Sequence, residues 1–274
     1  MARPDASSLA VLARFDPEDA RVVVIRPGDG SSAGAENEVA AMHQPTPAPT
    51  VVFDLDGTLV DTAPDLIDTL NALFAREGIS PVPFEEARRF IGGGARLLIE
   101  RGLSAHGLPS KGADVDRLYA DYVEAYAARI SQLSRPFPGL ESALDRLAAA
   151  GCRFAVCTNK LEYLSVKLLN ELALAPRFSV ICGQDTFGVM KPDPRVLLRT
   201  IAAAGGSPAS AVMVGDSGTD IATAKSAGIP VVAVDFGYTD VPVTALDPDR
   251  VIGSYDALFD AVHELIGASF SADR

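Results

Sequence analysis

Hydrophobic positions change rhythm twice along the chain. Residues 1–49 hold one short apolar run, at 21–26, among Gly, Ser, Ala and Glu, and end in a Pro-rich stretch from Gln44 to Thr50. Such a segment buries too little apolar surface to offset its ordering entropy, so a disordered N-terminal extension and a linker are expected. Met42, just ahead of the first strong run, is read as an alternative start of the chain. At 51 the rhythm becomes continuous. Val51, Val52 and Phe53 are β-branched or aromatic without a polar break, the pattern of a strand buried on both faces of a parallel sheet.

From 64 to 135 the apolar residues recur at helical spacing. Leu66, Ile67, Leu70, Leu73 and Phe74 predict a helix over 64–78, with Thr62 as its N-cap and Gly78 as its stop. Further helices are predicted over 84–90, 95–103 and 114–130, the last with Tyr119, Tyr122 and Tyr126 in one stripe read as core of this module. No strand signal interrupts the block, so residues 64–135 are expected to form a helical cap inserted after the first strand, with 50–63 and 136–274 as the catalytic core. Beyond 139 helix and strand alternate. Helices are predicted over 139–150, 161–173, 194–204, 218–227 and 255–266, and strands over 153–157, 179–182, 211–214 and 230–234. Alternation of this kind specifies right-handed crossovers and an α/β, doubly wound parallel sheet.

Composition narrows the classes of partner. The chain has 274 residues, 48% of them hydrophobic, and a net charge of −12, which argues against nucleic acid as a partner and for a small molecule. No apolar run approaches the roughly 18 residues of a membrane helix, so no membrane partner is expected. Cys152, Cys157 and Cys182 lack the spacing of a zinc site or a disulfide framework and read as core thiols of a cytoplasmic protein. Only His43, His106 and His263 exist, in a tail, a turn and a terminal helix, which gives a histidine base little support.

Chemistry enters at the strand ends, where ligands bind in doubly wound folds. The first strand ends in Asp54-Leu55-Asp56-Gly57-Thr58. Alternation along a strand sends both carboxylates to one side, and Gly57 permits a sharp turn. The second ends in Thr158-Asn159-Lys160, the loop after the third leads to Lys191-Pro192, and the fourth ends in Gly215-Asp216 with Asp220 one helical turn on. Carboxylates gathered this way repel, so a cation is implied, and an all-oxygen donor set suits Mg2+ better than zinc. The set fits attack on phosphorus: Asp54 as nucleophile, Asp56 as acid and then base, Thr158 and nearby amides holding phosphoryl oxygens, Lys191 cancelling charge.

In order and spacing these four motifs, with a helical insert after the first, resemble the haloacid dehalogenase-like superfamily from about residue 50 onward. The resemblance implies a Rossmann-like core with a helical cap, and Mg2+ held by Asp54, the backbone carbonyl of Asp56, and Asp216, with Asp220 as a ligand directly or through water. Phe90 to Arg101, the Thr158-Asn159-Lys160 form of the second motif and Gly237-Tyr238 look most like phosphoglycolate phosphatases, although Asp193 stands where many of those carry histidine. This likeness implies hydrolysis of a small phosphorylated metabolite such as 2-phosphoglycolate. It adds Asn159 and Lys191 as phosphate contacts, Gly93 and Arg96 as cap contacts, and a monomer or homodimer. A sugar phosphomutase of the β-phosphoglucomutase type and a pyrophosphatase of the same superfamily stay open at this stage. A dehalogenase would not need Asp56, and a phosphorylated signalling receiver would lack the insert.

Overall fold

The computed structural model describes residues 48–239 and 241–267. The expected N-terminal extension and the reading of Met42 lie outside the described residues. In chain order the elements are β1 (Thr50–Phe53), β2 (Val60–Asp61), α1 (Ala63–Arg76), α2 (Phe84–Arg88), α3 (Gly94–Ala105), α4 (Ala113–Ala127), β3 (Arg135–Pro136) and α5 (Leu140–Ala149). They continue with β4 (Arg153–Cys157), α6 (Glu162–Glu171), β5 (Val180–Cys182), α7 (Pro194–Ala203), β6 (Ala211–Gly215), α8 (Gly218–Ala227), β7 (Val231–Val234), β8 (Arg250–Ile252) and α9 (Leu258–Ile266).

Six strands form one parallel sheet in the order β5-β4-β1-β6-β7-β8, with helices on both faces. The apolar run at 51 is therefore the central strand: Thr50 pairs with Arg153 on one side and with Ala211 on the other. All four β1 residues are fully buried. Val51 and Phe53 belong to the core on one face, and Val52 packs with Ala155, Cys157 and Met213 on the other. Burying one such side chain is worth about 1.5–3 kcal/mol, so β1 anchors both layers at once. The strand ends consequently open side by side at one rim of the sheet. This is a Rossmann-like core carrying a helical cap.

Three strands went unread in the sequence. β2 and β3 form a separate antiparallel pair, Val60 opposite Pro136 and Asp61 opposite Arg135, that closes the base of the helical insert. Two residues each leave no periodic signal. β8 adds an edge strand whose residues Arg250 and Val251 are exposed, so no buried run announced it. Within the insert α1 and α4 lie side by side, and the Tyr122 hydroxyl donates to the Leu66 carbonyl at 3.0 Å. Asp65 of α1 is fully buried, and its Oδ2 accepts from the Leu133 amide and from the Ser134 amide and hydroxyl at 2.7–2.9 Å. Thr62 does not cap α1: its hydroxyl donates to Asp56 instead.

Candidate active site

Asp54 follows β1 directly, and its amide stays in the sheet by donating to the Val214 carbonyl at 2.9 Å. Gly57 then turns the chain at φ +85°, where a side chain would strike the Asp216 carboxylate. The glycine is thus required twice, for its left-handed backbone and for the space it leaves. Asp56 projects to the same rim. Its Oδ1 accepts from the Thr62 hydroxyl at 2.7 Å, and the Lys160 ammonium lies 2.8 and 3.0 Å from its two oxygens.

Opposite Asp54 stands Lys191. Its ammonium is 2.8 Å from Asp54 Oδ1 and 2.5 Å from Asp220 Oδ1. Burial alone would lower the Lys191 pKa, but the Asp220 and Asp54 carboxylates outweigh that and raise it, so it stays an ammonium. The Asp54 carboxyl is pushed up to about 6, first by burial and then by Asp220, with Lys191 pulling the other way. Asp216 is raised well above the usual carboxylate range by burial and by Asp220 and Asp54. It is held from two sides: the Tyr238 amide donates to Oδ2 at 2.7 Å and the Thr58 hydroxyl to Oδ1 at 3.0 Å. Gly237 makes that approach possible, since any Cβ there would meet the Asp216 side chain.

Asp220 does two things. With Ser217 it forms a capping box at the start of α8, where the Ser217 amide and hydroxyl donate to Oδ2 at 3.0 and 2.6 Å. Its other oxygen faces Lys191. Helix cap and site residue are therefore compatible. Asp193, at the position where histidine was associated with the family, caps α7 by accepting from the Arg195 amide at 2.9 Å.

The carboxylates of Asp54, Asp216 and Asp220 offer ligand atoms within 4.8 Å of one another, all buried. A single lysine cannot balance three such groups when they ionise, and Asp54 Oδ1 is buried without a well-formed hydrogen bond. Three hard oxygen donors with uncompensated negative charge fit a divalent cation of the Mg2+ kind.

In front of Asp54 and Asp56 lies a cavity of about 40 Å³. The cores of α3 and α4 and the start of α6 wall it with Leu98, Tyr122, Tyr126 and Leu164, and Thr158, Asn159 and Lys160 line its floor. The tyrosine stripe read as cap core is thus also cavity wall: Tyr122 and Tyr126 are buried, and Tyr119 lines the opening as well. Helical spacing could not separate these roles, because the buried face of the insert and the wall of the cavity are one face.

Several sequence-predicted contacts fall differently. Thr158 lines the cavity as expected, three residues ahead of Leu161, the N-cap of α6. The Asn159 side chain is engaged with Lys191, donating to its carbonyl at 3.1 Å and accepting from its amide at 2.9 Å. It positions Lys191 rather than holding free donors toward a phosphate. Arg96 was expected to reach substrate. Its guanidinium instead pairs with Asp116 at 2.5 Å on a half-exposed surface and lies 5.3 Å over the Tyr119 ring. Gly93 borders a second cavity, of about 260 Å³, while its neighbours Gly92 and Gly94 line the first. Lys160 belongs to the second motif, which gives it no task of its own; its place at a strand end is the available signal. Tyr238, whose amide holds Asp216 and whose hydroxyl donates to Asp61 at 2.5 Å, carried no signal beyond the family likeness.

Comparison with known proteins gives the family. The model of haloacid dehalogenase-like hydrolases matches residues 51–234. A phosphoglycolate phosphatase of Mesorhizobium japonicum is 50% identical over 210 residues, covering 77% of this chain and 92% of that protein. One from Caulobacter vibrioides is 47% identical over 206 residues, covering 75% and 87%. The crystal structure of a predicted phosphoglycolate phosphatase from Haemophilus somnus 129pt matches with a TM-score of 0.73 at 26% identity, over 78% of this chain and 97% of that one. The chain belongs to the haloacid dehalogenase-like hydrolases. Within that class it is a phosphoric monoester hydrolase of the phosphoglycolate phosphatase-like kind. Among the described residues no helix is long and apolar enough to cross a membrane.

Proposed function

We propose that this phosphatase hydrolyses 2-phosphoglycolate to glycolate and inorganic phosphate, with Mg2+, through a phosphorylated Asp54. The observation that carries the reading is the buried group of Asp54, Asp216 and Asp220 around Lys191. Those three carboxylates and the Asp56 backbone carbonyl would hold Mg2+, which when bound supplies charge neutralisation at the phosphoryl oxygens.

The chain's own residues divide the remaining work. Lys191, 2.8 Å from Asp54, orients the nucleophile and lowers its repulsion toward an incoming phosphate. An Asp54 oxygen attacks phosphorus while the bond to the glycolate oxygen breaks, and the Asp56 carboxyl gives its proton to that leaving oxygen. Asp56, now a carboxylate, takes a proton from water as the water oxygen attacks phosphorus. Asp54 is released unchanged, with inorganic phosphate as product. Thr158, 2% exposed on the cavity floor, and the amides around it hold phosphoryl oxygens. Residues 64–135 act as the cap over a core of 50–63 and 136–274, and cap side chains wall the cavity in front of Asp54 and Asp56.

Phosphate release from 2-phosphoglycolate, ethyl phosphate, pyrophosphate and β-glucose 1-phosphate, each assayed with Mg2+, tests the reading. The highest kcat/KM is expected for 2-phosphoglycolate. Conversion of β-glucose 1-phosphate to glucose 6-phosphate, or dominant turnover of pyrophosphate, would overturn it.

A further inference from the structure

The cavity beyond Asp56 is apolar over most of its wall, yet three donors of different kinds meet in it. Lys160 is the one cationic side chain among the described residues lining it. Its side chain is 5% exposed, and its ammonium sits between the Asp56 carboxylate and the Tyr126 ring, 4.6 Å from the ring centroid. An ammonium has three N–H donors, and the two Asp56 oxygens leave one for a ligand. The Tyr126 hydroxyl is buried and has no hydrogen-bond partner among the described residues. The third contribution is the start of α3, a twelve-residue helix with Gly93 at its N-cap and no side-chain cap, whose residues Gly94 and Ala95 line the cavity. Its first amides lack intrahelical partners and carry the positive end of the helix dipole.

A buried hydroxyl without a partner is costly unless a ligand satisfies it. An ammonium, a hydroxyl and a helix start carried by residues that line the same small space form a receptor for an anion, and phosphate is already claimed by Asp54 and its neighbours. The geometry points to a second anionic group on the substrate, a carboxylate one or two carbons from the phosphoester oxygen, bound by Lys160 with Tyr126 and the first turn of α3. Lys160 is then the residue that selects phosphorylated hydroxycarboxylates over neutral phosphomonoesters. This rests on the phosphatase reading above and assigns its specificity to named groups.

2-Phosphoglycolate and ethyl phosphate make a matched pair, each a two-carbon phosphomonoester, one ending in a carboxylate and the other in a methyl group. The reading to take is the ratio of their kcat/KM values, because any effect of Lys160 on Asp56 is common to both substrates and cancels. The wild-type ratio is expected to fall about tenfold to a hundredfold in Lys160→Met, mainly through the KM for 2-phosphoglycolate, as removal of a charge-assisted hydrogen bond predicts. Lys160→Arg should restore part of it. Tyr126→Phe removes only the hydroxyl and should lower the ratio by about three- to tenfold, which keeps the proposal open to refutation if Lys160→Met does not fold. Competitive inhibition by glycolate alone should weaken in step, while inhibition by inorganic phosphate should not. A wild-type ratio near one, or an unchanged ratio in Tyr126→Phe and Lys160→Met, would overturn the carboxylate site while leaving the phosphatase reading intact. Failure of the wild type to release phosphate from either ester would instead defeat the phosphatase reading.

Discussion

The strand ends and the helical insert face the same cavity but are built by opposite means. At the strand ends charge is buried and nearly every polar atom is tied down: Asp216 by the Tyr238 amide and Thr58, Asp220 by Ser217 and Lys191, Lys191 in turn by both ends of Asn159. Part of that holding, from the Tyr238 and Ser217 amides, comes from backbone groups, which no side-chain substitution at those positions removes. On the insert the wall is side chains such as Leu98, Tyr122 and Tyr126, with one hydroxyl left without a partner. The first arrangement fixes a reaction. The second presents side chains that can be exchanged without disturbing the sheet, and shares the choice of substrate with Lys160 at the end of β4.

That contrast breaks if its largest expected effect fails. Asp54→Asn keeps the shape of the strand end and removes the nucleophile, so kcat should fall on the order of 10⁴-fold or more while the melting temperature is retained or raised. Turnover within tenfold of wild type would show that the strand ends do not carry the covalent step. A middling effect concerns charge. The folded-state pKa of Asp54, about 6, lies above its ordinary 3.8, and Asp216 is shifted the same way. The folded protein therefore binds protons that the unfolded chain has released, and stability rises as pH falls through that window. With a chelator present, Tm should increase between pH 7 and pH 5, with Asp54 contributing about 3 kcal/mol at most. Mg2+ should raise Tm at pH 7 and flatten the trend. A chelated protein whose Tm falls from pH 7 to pH 5, or is unmoved by Mg2+, would remove the buried repulsion on which the metal reading depends.

The smallest expected effect lies on the insert. Arg96→Ala breaks an exposed pair with Asp116, so turnover should stay within about threefold and stability within about 0.5 kcal/mol of wild type. A tenfold rise in KM would return Arg96 to the substrate and blur the distinction between an outer and an inner face of the cap.

Legibility in the sequence follows the same division. Asp54, Asp56, Thr158 and Asp216 could be listed because each lies at or just past an apolar run, and a parallel sheet brings all such ends to one rim, with Asp220 one helical turn further on. Lys191 lies nine residues past the end of β5, and the family order of the motifs, not an apolar run, pointed to it. The β2–β3 pair was invisible, since two residues give no period, and Thr62 looked like a cap because a hydroxyl before a helix has that use far more often than it has an Asp56 partner. The insert was readable as helices but not as a wall. Which of Tyr119, Tyr122 and Tyr126 face the cavity depends on how α4 is rotated against α1 and α3, and that is settled by packing between segments far apart in sequence. The task of Lys160 was hidden for a related reason: Asp56 lies 104 positions upstream, and Tyr126 sits on α4, in the insert.

The central place of β1 carries a consequence for the order in which the protein can assemble as it is made. Thr50 pairs with Arg153 and with Ala211, so β1, the first strand among the described residues to leave the ribosome, has no sheet neighbour until 103 more residues have been added, and its second arrives 161 residues on. At about 5–20 residues per second, that is several seconds with an apolar strand unpaired. The helices that follow β1 make contacts mostly among themselves and can form in that interval. The insert that later covers the substrate is thus also the part of the chain positioned to take shape first, beside a strand still waiting for its sheet.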